Sequence, residues 1–168
     1  EITVNTPVDF ENGLAGIGWG IEYLVQNGFI EANTDEVLED FDDKIYKELI
    51  QNTPEGTCLL TGILGIGAYF LKRLQNPLST EKNNTTSGKK QTLGHILDML
   101  DKRTQKIDEL IKEPILRHPS KEQIHKSQTA NDNVFDITWE YPLILWFLAE
   151  LYEQNNFSFK VEKMIGRF

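Results

Sequence analysis

Apolar residues recur at helical spacing along most of the chain, in two kinds of segment. Residues 13–25, 62–74 and 139–152 are apolar around nearly the whole helical circumference. The first carries Leu14, Ile17, Trp19, Ile21, Tyr23, Leu24 and Val25; the second carries Ile63, Leu64, Ile66, Tyr69, Phe70, Leu71 and Leu74; the third runs from Trp139 to Tyr152 with little polar face. Helices of this kind are buried on most sides. Residues 34–51 and 91–113 instead show single stripes, made by Leu38, Phe41, Ile45 and Leu49 in one and by Leu93, Ile96, Leu97, Leu100, Ile107 and Ile111 in the other. Asn33-Thr34-Asp35-Glu36 reads as a capping box at the start of the first stripe, and Asn27-Gly28 and Asn76-Pro77 read as helix stops. Strand signals are weak throughout. The pattern predicts an all-α chain of helical hairpins, each an apolar inner helix followed by an amphipathic outer one, spanning about 12–51, 58–113 and 134–168 of a single domain 1–168. The third outer helix, Phe159 to Ile165, is short. Residues 76–90, rich in Ser, Thr and Asn, read as a flexible surface loop that could be shortened, and 114–133 as a second long connection.

The inner helices share an internal repeat. Gly13-Leu14-Ala15-Gly16-Ile17-Gly18 recurs as Gly62-Ile63-Leu64-Gly65-Ile66-Gly67, 49 residues later. Glycine-rich turns let backbone amides approach phosphate, but the dinucleotide fingerprint has a different order and follows a strand, and no Walker lysine follows either copy. Glycines at i, i+3 and i+5 of a helix start, repeated at a fixed period, point to close packing of neighbouring backbones.

Gly13-Leu14-Ala15-Gly16-Ile17-Gly18-Trp19-Gly20, followed by Gly28-Phe29-Ile30 and an acidic outer helix, resembles the lanthionine synthetase C-like family. The resemblance is strong over residues 10–75 and architectural over 90–168. It implies an α/α toroid of six or seven hairpins, of which about three are present here: a partial ring or an open arc. In catalytic members of that family, zinc held by two cysteines and a histidine activates the cysteine thiol of a precursor peptide for addition to a dehydrated serine or threonine. The family's zinc motifs are not matched, so no ligand is carried over. The resemblance implies a role associated with peptide modification, as a zinc-less accessory or a module binding a peptide or protein. An alternative is a cyclase whose zinc half lies on absent sequence.

Composition narrows the chemistry. The 168 residues contain one cysteine, Cys58, and three histidines, His95, His118 and His125, scattered along the chain without zinc-motif spacing, so a tetrahedral zinc site is not expected, nor a cofactor. Cys58 reads as a buried thiol ahead of the second inner helix. The net charge is −9, unevenly spread: residues 1–60 hold 13 acids and 2 bases, while residues 72–128 hold 7 acids and 12 bases. An acidic whole disfavours nucleic acid as partner. No apolar run is long enough to span a bilayer, and the chain shows no charged start followed by an apolar stretch, so a cytoplasmic protein is expected. Glu22, beside Trp19 and Tyr23, and Asp136 and Glu140, near Trp139 and Tyr141, are the candidate acids if the chain were instead a carboxylate-based carbohydrate enzyme of the α/α-toroid type. Finally, residues 1–12 read as polar or small and offer no apolar cap to Leu14, Ile17, Ile21, Leu24 and Val25. The surface around Ile17, Trp19, Ile21 and Tyr23 is therefore expected to be an interface, covered by another chain, by a second copy or by a missing upstream segment.

Overall fold

The outer helices carry their apolar residues as one stripe and the inner helices all round, and the chain resolves this difference by layering. The structure, a computed structural model, describes residues 6–54, 56–77, 85–112, 132–154 and 157–167; the side chains of 85–86 and 106–140 lie outside it. The described residues form seven helices and no strand: α1 (Leu14–Gln26), α2 (Thr34–Val37), α3 (Glu39–Gln51), α4 (Ile63–Leu74), α5 (Thr85–Lys112), α6 (Asp132–Glu153) and α7 (Ser158–Ile165). The inner helices line up with α4 in the middle, packed against α1 on one side and α6 on the other; α2 and α3 pack on α1, α5 on α4 and α7 on α6. Every residue of α4 from Ile63 to Leu71 is buried. The core joins Leu14 and Ala15 of α1, Leu38 and the α3 stripe, the length of α4, the α5 stripe, and Ile144, Phe147, Leu148 and Leu151 of α6.

The sequence repeat is matched by a repeated backbone device that extends upstream of the glycines. Leu14 N donates to Pro7 O at 3.0 Å, and 49 residues later Ile63 N donates to Gly56 O at 3.2 Å. Asn12 N donates to Asp9 Oδ1 at 2.8 Å, and its counterpart Thr61 N donates to Cys58 Sγ at 3.3 Å. Cys58 thus occupies the place of Asp9 as a turn acceptor; it is half-buried, not enclosed as its apolar neighbours suggested. The two turns are tied together by Phe10 N and Glu11 N, which both donate to Leu60 O. Each turn folds back over its own helix, so that a side-chain carbon on Gly16 would collide with Phe10 O, and one on Gly65 with Leu59 O. Gly18 and Gly67 serve the neighbouring element: a Cβ there would lie 2.5 Å from the Tyr69 ring and 2.7 Å from the Phe147 ring. The first two inner helices, α1 and α4, therefore each accept an aromatic ring of the next one at the i+5 glycine.

Three expectations need correction. The apolar cap missing from residues 1–12 is supplied by Val8 and Phe10, which pack against the core, and Leu14 and Val25 are buried. The stripe 34–51 is two helices, broken at Leu38, which is buried and has non-helical φ −106° and ψ 8°. Asn33 still caps the first, accepting from Asp35 N and donating to Glu36 Oε1. The polar stretch 76–90 is not all loop: α5 begins at Thr85, Asn76 is buried against Thr34, and Lys89 is buried in an ion pair with Asp35. Polar residues there are anchored by charge, which composition alone does not reveal; residues 78–84 lie outside the described ones, as does the 114–131 part of the second connection.

At the far end, Lys160 pairs with Asp98 and Arg167 with Asp101, holding α7 to α5. Partial burial pushes the Asp101 carboxyl up, but the hydrogen bond and charge of Arg167, with Gln105 and Lys163, outweigh it and hold the group below its usual range. A depressed carboxyl contributes stability that is complete above its unfolded value of about 3.9 and is lost as pH falls through the folded value. Arg167→Gln should accordingly shift the Asp101 titration upward by NMR and narrow the acid side of the stability curve. An unmoved titration would show that the pair is not formed in solution.

Candidate functional site

Two features stand out from the packed core: a charged cluster between the layers, and the outer flank of α1. Arg73 follows Lys72 near the end of an apolar helix and, unlike that half-buried neighbour, is 0% exposed. A guanidinium taken out of water needs all its donors met. Nη1 reaches Glu22 Oε2 on α1 at 3.3 Å and Thr34 Oγ1 on α2 at 3.0 Å; Nη2 reaches Asp42 Oδ2 on α3 at 2.9 Å and Asp35 Oδ1 on α2 at 3.3 Å; Nε reaches Asp42 Oδ2 at 3.3 Å. Two residues seven apart on one straight helix are separated by about 10 Å along its axis. The break at Leu38 is what brings both Asp35 and Asp42 to one guanidinium.

The cluster continues outward. Tyr69 donates its phenol to Asp42 at 2.5 Å, and Lys89 of α5 donates to Asp35 at 2.5 Å. Burial, then the charge of Asp42 and the hydrogen bond to it, keep the Tyr69 phenol protonated far above its ordinary range. Burial alone would lower the Arg73 pKa; the hydrogen bond and charge of Asp42, joined by Tyr69 and Glu22, raise it. Arg73 ties α1, α2, α3 and α4 together, and a second buried cation, Lys89, joins α5 to them. None of this was read from the sequence, although Glu22 and Arg73 stand in apolar helices, where charged side chains are rarely fully buried unless paired.

Glu22, a candidate acid from the sequence, is 0% exposed and committed to Arg73, with Gln26 donating to its other oxygen at 3.2 Å. It is a structural anchor, closed to substrate in this conformation. Asp136 and Glu140 lie on α6, but their side chains are outside the described residues, as are His118 and His125 altogether. The zinc implied by the family resemblance is not fitted by the residues here: the chain has one cysteine, and among the described residues no three His, Cys, Asp or Glu side chains form a group able to hold a metal ion. Among the described residues no helix is long and apolar enough to cross a membrane.

The second feature is the exposed side of α1. Of the four residues expected at an interface, Ile17 is 50% and Tyr23 42% exposed, while Trp19 and Ile21 are half-buried and pack on the core. Leu24, 40% exposed, joins them. Trp19 stacks on Tyr23 with centroids 5.5 Å apart and meets Phe10 edge-on at 6.0 Å; Lys72 Nζ stands 5.7 Å from the Tyr23 ring centre. Gly20 lies on this flank with nothing within 4 Å of where a Cβ would be. The turn after α1 adds exposed Phe29 and Ile30. Comparison with known proteins gives no assignment: no family model, curated protein or solved structure matches the chain.

Proposed function

We propose that the chain is a zinc-less hairpin-repeat module of lanthionine synthetase C-like type, which binds a peptide or protein partner along the outer flank of α1. One observation carries this reading. Helix α4 has an inner helix on each side and is buried from Ile63 to Leu71, whereas α1, just as apolar, has one inner-helix neighbour and the outer helices α2 and α3, and leaves Ile17, Tyr23 and Leu24 open. An apolar flank left open on a helix that is apolar all round marks an interaction surface. The rings of Trp19 and Tyr23 supply the rigid aromatic area typical of binding hot spots, with Lys72 beside them as a polar handle.

Selection of a random peptide library on the immobilised chain should yield apolar or aromatic binders that are lost on Leu24→Glu. That position is preferred to Ile21, which packs against the core. The variant should melt close to the wild-type temperature, since Leu24 is 40% exposed and lies outside the core cluster. Binders that hold equally well to the Leu24→Glu variant, or a library that yields none, would overturn the proposal.

A further inference from the structure

Outer helices α3 and α5 do not close on each other. Between them opens a cleft of about 310 Å³, floored by Phe70 of α4, with Glu39, Asp43 and Tyr46 on the α3 wall and Gly88 and Lys89 on the α5 wall. We propose that this cleft receives the guanidinium side chain of an arginine carried on a peptide partner. The proposal is independent of the α1 flank and rests on different residues.

Charge selects a cation. Lys89 is the one basic group among the lining residues, and it is already committed to Asp35. Asp35 and Asp42 are likewise engaged by Arg73, Lys89 and Tyr69. Glu39 and Asp43 are left at the mouth; Asp43 has only a solvated contact to Lys47 at 3.6 Å, with both side chains largely exposed. Shape then selects an organic cation over a metal ion, because the carboxylates are strung along the cleft and do not form a metal-holding group. The half-buried Tyr46 ring adds aromatic surface for a flat, weakly hydrated guanidinium, which stacks on rings and takes carboxylates in a fork. Gly88 is a further sign that the space is kept open. Glycine is the poorest helix former after proline, and among the described residues no packing requires it here, since none lies within 4 Å of its missing Cβ.

The test is calorimetric titration of the whole chain with the acetylated, amidated peptide Ala-Ala-Arg-Ala-Ala and with its citrulline counterpart, which keeps the shape and loses the charge. The arginine peptide should bind, more weakly as salt is raised, and the citrulline peptide should bind at least about tenfold more weakly, as expected when a charge-assisted pair is lost. Glu39→Gln with Asp43→Asn, both on the solvated face, should weaken the arginine peptide by about tenfold. Gly88→Leu should fill the cleft and abolish binding while the protein melts at or above the wild-type temperature, and Leu24→Glu should leave binding unchanged. Equal binding of the two peptides, binding that survives Gly88→Leu, no binding of the arginine peptide, or displacement of it by calcium or magnesium would each overturn the assignment.

Discussion

Gly65→Val is expected to destabilise the chain by about 3 kcal/mol or more, with Gly16→Val close behind. Overpacking a core with extra methyl groups costs about 1–3 kcal/mol when the neighbours are side chains that can turn aside. Here the obstacle is backbone: the carbonyl of Leu59 over Gly65 and that of Phe10 over Gly16, with Phe10 Cβ also 2.5 Å from the added atom at Gly65. Relief would require lifting the turn whose hydrogen bonds, Ile63 to Gly56 and Leu14 to Pro7, start the inner helix. Gly20→Ala is the matched control. No neighbour meets its Cβ, and alanine is favoured over glycine inside a helix by about 1 kcal/mol, so this variant should be unchanged or more stable. Urea unfolding of the three variants decides the matter; a Gly65→Val midpoint equal to wild type would show that the turn does not lie over the helix.

Arg73→Leu is expected to cost about 3–5 kcal/mol, the penalty for removing one partner of a buried ion pair and leaving the other charged. Its loss orphans Glu22, which is fully enclosed, and strips Asp35 and Asp42 of their shared donor. Adding Glu22→Gln to Arg73→Leu should recover part of the loss, because the remaining buried group no longer carries charge. The double-mutant cycle should therefore show a coupling within the about 0.5–3 kcal/mol typical of contacting residues. Arg73→Lys keeps the charge but not the fork that reaches three carboxylates, and should fall between wild type and Arg73→Leu. Strict additivity would mean that Glu22 and Arg73 do not meet in the folded protein.

What could be read from the sequence divides along a physical line. Periodicity reports how much of each helix is covered, so the enclosed α4, the striped α3 and α5 and the glycine repeat were all legible in the order of residues. The repeat extends further than its letters. Pro7 to Asn12 and Gly56 to Thr61 make equivalent turns with no identical residue, because a carboxylate at Asp9 and a thiol at Cys58 serve as the same acceptor. Long-range pairing was not legible. Arg73 finds Glu22 and Asp42 across 51 and 31 residues, and Lys89 finds Asp35 across 54. A carboxylate beside two aromatic rings looks the same in sequence whether it faces a substrate or a buried guanidinium, and Glu22 proves to be the second. Likewise an acidic run such as Glu39, Asp40, Asp42 and Asp43 has the composition of a solvated face, yet Asp42 is drawn inward and Glu39 and Asp43 border a cleft.

The open flank of α1 is tested most directly by methyl and indole NMR shift mapping of the chain with a peptide obtained by selection. The account predicts that the Ile17 and Leu24 methyl signals and the Trp19 indole move on binding, while Ile144 and Leu151, on the buried face of α6, stay in place. Shifts confined to α6 or to the α3–α5 cleft, with Ile17 and Leu24 unmoved, would contradict it.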